Sequence, residues 1–176
     1  MGRNVEIKAR IESIADILPA VQAIATSAPQ EIAQDDTFFF CSNGRLKLRT
    51  LSENYGQLVF YNRPDKAGLK ECSYTVAQIS EPRVLRDLLV QAYGALGRVV
   101  KRRILYMVDN TRVHLDNVEG LGEFLELEVV LSDDESIEDG MKTANSILAK
   151  LGISNDQFID CAYVDLIAQK SKAKEA

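Results

Sequence analysis

The chain has 176 residues, of which 46% are hydrophobic, and its 26 acidic and 21 basic residues give a net charge of −5 at pH 7. Such a length and composition are typical of one globular domain and argue against a disordered chain. The acidic balance also argues against a general nucleic-acid-binding protein, which would be basic overall.

Cysteine usage and the apolar segments of the chain indicate the cellular compartment in which the protein is found. Cys41, Cys72 and Cys161 are odd in number, far apart and without zinc-ligand spacing, which favours a reduced, cytoplasmic protein. The N-terminus lacks the apolar core of a signal peptide, and no segment approaches the length of a membrane span. We therefore expect neither a membrane nor a nucleic acid as partner.

The first predicted element is a strand from Asn4 to Glu12 in which polar and apolar residues alternate. A helix is predicted over residues 13–28, where Pro19 marks either a kink or the true start. A strand rich in aromatic residues follows over 35–40, and Ser42-Asn43-Gly44 is typical of a hairpin turn that leads into a basic strand over 45–50.

The next pair of predicted strands covers 57–63 and 69–76, joined by a turn-rich loop from Arg63 to Gly68. A helix that starts near Pro82 is expected to end at about Gly97. Three strands are then predicted over 99–108, 112–117 and 122–131, followed by a helix over 137–151. The pattern from Ser154 to Gln157 is typical of a capping box that opens a last short helix.

Alternation on several separate strands is the most informative pattern. Successive strand residues point to opposite faces, so each of these strands has one charged and one apolar face. Lys47 shares a face with Arg49, Lys101 with Arg103, and Glu126 with Glu128. If the strands close on themselves, cations and carboxylates meet in one interior, as a site for a polyanion and its metal ions requires. An ordinary sheet with solvated charged faces is the alternative.

The same residues resemble a known family. Glu6-Ile7-Lys8 resembles the end of the ExExK signature of the CYTH proteins, also called triphosphate tunnel metalloenzymes. Further stretches resemble the family in the same order along the chain: 36–39, 44–49, 101–103, 114–128 with its GLGEFLELE run, and 163–167. The nearest subgroup by resemblance is the class IV adenylate cyclase-like, or CyaB-type, proteins.

The resemblance implies a single CYTH domain over residues 1–168, followed by a polar C-terminal tail over 169–176. It implies an α+β fold in which eight mainly antiparallel strands form a closed barrel with a polar interior and helices packed outside. It also implies hydrolysis of inorganic or organic triphosphates with Mg²⁺ or Mn²⁺. Inorganic triphosphate, ATP and thiamine triphosphate are the candidate substrates. An adenylate cyclase and a non-catalytic polyphosphate or nucleotide sensor are the alternatives, and a homodimer is compatible with the sequence.

Residue roles follow from the resemblance. Glu6 and Lys8 are the expected catalytic residues. The expected substrate-binding residues are Lys47, Arg49, Arg63, Lys101, Arg103, Arg112 and His114. The expected metal ligands are Glu6, Asp116, Glu126 and Glu128.

Three positions leave alternatives open. Asn4 replaces the first Glu of the signature and brings no charge, so either metal binding is weakened or Asp116 compensates. His114 is a base, a substrate contact or a hydrogen-bonded structural residue. Tyr61 either contacts a ring of the substrate or packs within the barrel.

Overall fold

The computed structural model describes residues 2–63 and 68–175, so most of the predicted Arg63–Gly68 loop lies outside the described residues. The strands are β1 (Gly2–Arg10), β2 (Gln30–Phe39), β3 (Arg45–Ser52), β4 (Tyr55–Asn62), β5 (Lys70–Ile79), β6 (Ala95–Val108), β7 (Thr111–Val118) and β8 (Gly122–Leu131). The helices are α1 (Ile14–Ile24), α2 (Pro82–Tyr93), α3 (Ile137–Lys150) and α4 (Tyr163–Glu175), with a 3₁₀ turn at Asn155–Gln157.

The eight strands form one closed barrel in the order β1-β5-β4-β3-β2-β6-β7-β8. All neighbouring pairs are antiparallel, and β1 closes the barrel by pairing with both β5 and β8. The predicted α+β fold, an antiparallel eight-stranded barrel with helices outside, is therefore confirmed.

The apolar faces of the strands point outward and are covered by helices. Ile7, Leu125 and Leu127 are almost completely buried against α1, which contributes Ile17, and α3, which contributes Ile147. Because the hydrophobic core lies between the barrel wall and these helices, the opposite face of each strand is left to line the interior. This arrangement explains how a barrel with a charged interior remains stable.

Helix α3 approaches the barrel closely at Gly140. A Cβ atom at that position would lie 2.7 Å from Leu131 Cδ2 and 2.9 Å from Val5 Cγ2. The missing side chain lets the helix pack directly on β1 and β8, the two strands that carry most of the carboxylates of the interior.

The structure decides between the two alternatives for Pro19 and corrects the predicted end of α2. Helix α1 begins at Ile14, capped by Ser13 Oγ, which accepts the N–H of Ala15 at 3.1 Å, so Pro19 lies inside the helix and does not start it. Helix α2 ends at Tyr93 because Gly94 adopts a φ of 76°, a value that favours glycine. The chain then enters β6 at Ala95, before the predicted stop at Gly97.

The last part of the chain forms regular structure, including most of the segment that was predicted as a polar tail. The 3₁₀ turn is held by the predicted capping interaction, in which the Ser154 N–H donates to Gln157 Oε1 at 2.9 Å. Helix α4 continues to Glu175. Among the described residues, no helix is both long and apolar enough to cross a membrane.

Candidate active site

The barrel encloses a cavity of about 500 Å³, the size of an ordinary small-molecule site. Among the described residues, seven basic side chains and four carboxylates line it. They are Lys8, Lys47, Arg49, Arg63, Lys101, Arg103 and Arg112, together with Glu6, Asp36, Glu126 and Glu128. The excess of cations fits an anionic ligand.

Asp36 organises the first group of cations. It is opposite Arg49 in the register of β2 and β3, and opposite residues of an antiparallel pair point to the same side. The carboxylate accepts bonds from Arg49 Nε and Nη2 and from Lys47 Nζ, each at 2.9 Å. Burial alone would raise the pKa of Asp36, but Lys47 and Arg49 hold it well below its ordinary value. Asp36 therefore stays charged and fixes both cations in place.

Asp116 organises the second group in the same way. Its Oδ1 accepts from Arg103 Nε at 2.6 Å, and its Oδ2 accepts from Arg103 Nη2 at 2.7 Å, Lys101 Nζ at 2.8 Å and the Tyr163 hydroxyl at 3.0 Å. Both oxygens are thus occupied, and Asp116 is not among the residues that line the cavity. Asp116 is opposite Arg103 in the register of β6 and β7, so it faces the interior, but the side chains that bind it cover it from the cavity. Among the described residues, the structure groups His114, and not Asp116, with Glu126 and Glu128.

The pKa of Lys101 is lowered into the range in which enzymes are assayed. Burial lowers its pKa to about 8, and Arg103 acts in the same direction. Its ammonium group carries three N–H donors, and Asp116 accepts one of them in the structure. Lys101 can therefore hold a phosphate oxygen, but only while it is protonated.

The carboxylates gather on the opposite wall, where β1 meets β8. Glu6 is opposite Glu128, and Lys8 is opposite Glu126. Arg63 Nη1 donates to Glu6 Oε1 at 2.6 Å, and Lys8 Nζ lies 3.1 Å from Glu126 Oε1. This wall brings together Glu6, Lys8, Glu126 and Glu128, as the sequence predicts.

The two β8 carboxylates are linked to the cations of β6 and β7. Arg103 Nη2 donates to Glu126 Oε2 at 2.6 Å, and Arg112 Nε lies 2.8 Å from Glu128 Oε2. Each predicted substrate-binding lysine or arginine is thus paired with at least one carboxylate of the barrel.

Burial and neighbouring charges shift the pKa values of Glu6 and Glu126 in opposite directions. Burial raises the pKa of Glu6, and the charges of Glu126 and Glu128 add to the rise despite the nearby Arg63. Burial would also raise the pKa of Glu126, but Lys8 and other cations bring it well below its ordinary value. Glu6 is consequently the strongest proton acceptor of the three carboxylates.

His114 lies beside the β8 carboxylates. It is opposite Glu126 in the register of β7 and β8, and ligand atoms of His114, Glu126 and Glu128 all lie within 4.8 Å of one another. Burial lowers the pKa of His114, and Arg103 lowers it further. Because this donor set is rich in oxygen and open to the cavity, it fits a divalent cation.

Two buried amides face the same cavity. Asn4 is 2% exposed and Gln34 is 5% exposed. Among the described residues, neither Asn4 Oδ1 nor Gln34 Oε1 has a hydrogen-bond partner. A buried carbonyl oxygen without a partner is costly, so both atoms are suited to contact a bound ligand.

One end of the barrel is closed by the start of α4. Tyr163 packs edge-on against Phe124 with ring centroids 4.9 Å apart, and Lys8 Nζ lies 4.0 Å from the centroid of the Tyr163 ring. The other end is open, since Tyr55 and Val76 line the cavity and are 42% and 41% exposed. Among the described residues, the exposed end of the cavity is therefore lined by tyrosine, valine and glutamine side chains.

Tyr61 and Cys72 also line the cavity. The Tyr61 ring lies 5.7 Å from Lys47 Nζ, and burial raises the pKa of its hydroxyl. Burial likewise raises the pKa of the Cys72 thiol, so it stays protonated and inert. Sequence reasoning missed the roles of Asp36 and Tyr163. The parity of Asp36 with Gln34 and Phe38 on β2 is the one signal that could have indicated the first.

The chain matches a known protein family along most of its length. A family model described as the CYTH domain matches residues 2–163. The chain belongs to the CYTH domain family. It is 25% identical over 174 residues to the adenylate cyclase CyaB of Aeromonas hydrophila, a match that covers 94% of this chain and 89% of that protein.

Solved structures share the fold. The PH1012 protein of Pyrococcus horikoshii OT3 superposes with a TM-score of 0.82 at 23% identity, covering 93% of this chain and 98% of that one. The Hippeastrum protein HpAC1 superposes with a TM-score of 0.65 at 16% identity, covering 98% and 96%. Its structure was described as that of an adenylyl cyclase candidate with a dominant triphosphatase activity.

Proposed function

We propose that this CYTH protein is a divalent-metal-dependent hydrolase of triphosphates bound inside the barrel. The observation that carries the proposal is the convergence of seven cations and four carboxylates, among the described residues, on one cavity of about 500 Å³. A solvated sheet would spread these charges over an open surface, whereas this one directs them inward.

The cations bind the phosphates. Lys47, Arg49, Lys101 and Arg103 are held at fixed positions by Asp36 and Asp116. Charges that are already oriented stabilise a developing phosphate charge without reorganisation during the reaction. Arg63 and Arg112 contribute from the wall of the carboxylates. Asp36 and Asp116 are positioning residues, since they act through the cations.

The carboxylate wall holds the metal and the proton acceptor. Glu6, Glu126 and Glu128 supply the oxygen ligands that Mg²⁺ and Mn²⁺ prefer. When bound, such an ion polarises phosphoryl oxygens and neutralises their charge. Glu6 lies opposite Glu128 on this wall and accepts the proton of the attacking water. Lys8 keeps Glu126 ionised and oriented toward the cavity.

The open end accommodates the organic part of a substrate. Its tyrosine, valine and amide side chains suit a ring or a ribose better than a phosphate. This supports ATP and thiamine triphosphate as substrates beside inorganic triphosphate. The triphosphatase activity described for the Hippeastrum protein supports hydrolysis as the reaction.

An adenylate cyclase is the second candidate, favoured by the name of the Aeromonas relative. Both reactions use the same cations and carboxylates. They differ in whether water or the ribose 3′-oxygen attacks, and in which phosphorus atom is attacked. The products therefore distinguish them.

The test is a product-resolved assay of the full chain with inorganic triphosphate, ATP and thiamine triphosphate, each with Mg²⁺ and Mn²⁺. Phosphate released only when metal is added is the expected result. Equal amounts of cyclic AMP and pyrophosphate from ATP would replace the hydrolase by a cyclase. Tight binding of the triphosphates without any product would contradict both enzymes and favour the sensor.

A further inference from the structure

The site contains a buried imidazole nitrogen that the proposed triphosphatase chemistry does not use. His114 is 3% exposed. Among the described residues, its Nδ1 has no hydrogen-bond partner. A buried nitrogen without a partner is costly, so its presence on the wall of the cavity requires an explanation.

The distances around His114 exclude an ordinary hydrogen bond. Its Nδ1 lies 3.7 Å from Glu126 Oε2 and 3.8 Å from Glu128 Oε1, whereas N–H···O bonds are about 2.7–3.2 Å long. Ligand atoms that share one divalent ion at about 2.1 Å lie roughly 3.0 Å apart at a right angle and 4.2 Å apart when opposite. Both distances fall inside that interval.

We propose that His114 Nδ1 is a metal ligand, which completes the site with Glu126 and Glu128 where the signature carboxylate is replaced by Asn4. The inference deepens the proposed function, because it concerns the metal of the same cavity. It differs from the expectation from the sequence, in which His114 contacts the substrate.

A mixed imidazole and carboxylate site has consequences for metal choice. Mg²⁺ prefers an all-oxygen shell, whereas first-row transition-metal ions also bind imidazole, Mn²⁺ less tightly than the later ones. The amide of Asn4 offers oxygen without charge, so the site carries less negative charge than a complete signature would supply. His114 therefore shifts the preference of the site from Mg²⁺ toward Mn²⁺.

The chain makes this unusually easy to test, because His114 is its only histidine. Untagged protein is titrated with Mn²⁺ and no substrate, and binding is followed by the electron paramagnetic resonance signal of free Mn²⁺. Pulsed measurements on the bound ion then detect coupling to ¹⁴N. Mg²⁺ affinity is obtained by competition.

The expected result is ¹⁴N imidazole coupling in the wild type, replaced by ¹⁵N coupling when histidine is ¹⁵N-labelled. His114→Gln should lose the coupling and bind Mn²⁺ about tenfold or more weakly, while Mg²⁺ binding changes far less. Gln34→Leu is the matched control. It also removes a buried polar group without a hydrogen-bond partner from the cavity, and it should leave the coupling unchanged. Thermal unfolding without metal checks that the variants are folded.

The outcomes separate this inference from the proposed function. Bound Mn²⁺ without imidazole coupling, or equal Mn²⁺ affinity in wild type and His114→Gln, would overturn the role of His114. Metal-dependent phosphate release could still be measured in that case, and the proposed function would stand. Folded wild-type protein that binds no Mn²⁺ and releases no phosphate would overturn both.

Discussion

The pH dependence of substrate capture should follow the charge of Lys101. Burial lowers the pKa of this ammonium to about 8, so it is about nine-tenths protonated at pH 7 and about one-tenth protonated at pH 9. A charged hydrogen bond contributes about 1.5–3 kcal/mol. If only the protonated form holds the phosphates, kcat/KM should fall about tenfold between these two pH values.

The sign of the effect is defined by the charge that the site needs. Lys101 carries its positive charge below its pKa and loses it as the pH rises, so affinity for an anion is high at neutral pH and declines through pH 8. A bound triphosphate favours the charged form and raises the pKa of Lys101. The break in kcat should therefore appear at a higher pH than the break in kcat/KM.

The assay measures the initial rate of phosphate release from inorganic triphosphate between about pH 6.5 and 9.5, at a fixed concentration of free metal. These limits lie about 1.5 pH units on either side of the pKa of Lys101. Arginine stays protonated over this range, so Lys101→Arg should lose the break near pH 8. The pKa of Lys47 is also lowered, by burial and by Arg49, and the double variant with Lys47→Arg should give a flat profile. Superimposable profiles for the wild type and the double variant would show that neither lysine determines the pH dependence.

Three further changes test other parts of the site. Asp36→Asn leaves Lys47 and Arg49 without their carboxylate and should cost about 3–5 kcal/mol of unfolding free energy at neutral pH, measured by denaturant unfolding. Because the folded pKa of Asp36 is depressed, its contribution is present above its ordinary pKa of 3.8 and is lost as the pH falls, so wild type and variant should converge in acid. Glu128→Gln should reduce metal-dependent phosphate release about 100-fold or more, with the fold retained in circular dichroism. Asn4→Glu should lower the metal concentration for half-maximal rate if the missing carboxylate limits binding.

Controls make these outcomes decisive. An Asp36→Asn variant as stable as the wild type would mean that the buried pair is not needed to hold the cations. Full activity in Glu128→Gln would remove this carboxylate from the metal site. Unchanged metal dependence in Asn4→Glu would show that charge at Asn4 does not limit the enzyme. Asp116→Asn should not be rescued by Asn4→Glu, because Asp116 binds Lys101 and Arg103 and is covered from the cavity by them.

Strand parity predicted which charged side chains share a face, and the family resemblance predicted that this face lines a closed barrel. The charged positions of β1, β3, β6 and β8 alternate with apolar ones, and antiparallel pairing keeps opposite residues on the same side. Hence Glu6 with Glu128, and Lys8 with Glu126, meet as predicted. The outer apolar face was predictable for the same reason.

Pairing partners could not be predicted in this way. Asp116 has the parity of an interior residue, and Lys101, Arg103 and Tyr163 bind its carboxylate and cover it from the cavity. Tyr163 comes from α4, nearly fifty positions along the chain, and no local pattern indicates that it reaches the barrel. Such long-range contacts depend on how the end of the barrel is closed.

The boundaries of α2 show the limit of local signals. Gly94 and Gly97 are equally acceptable helix stops in the sequence. The structure uses the first because β6 must begin at Ala95 to pair with the end of β2. Tertiary pairing therefore decided between two residues of the same propensity.

The most direct test of the account is a crystal structure of the full chain with a non-hydrolysable triphosphate analogue and Mn²⁺. We expect the phosphates to bind inside the barrel and the metal to bind on the wall that carries Glu126 and Glu128. The phosphates should contact Lys47, Arg49, Lys101 and Arg103. An analogue bound only on the outer surface, with the interior charges still paired with one another, would contradict it.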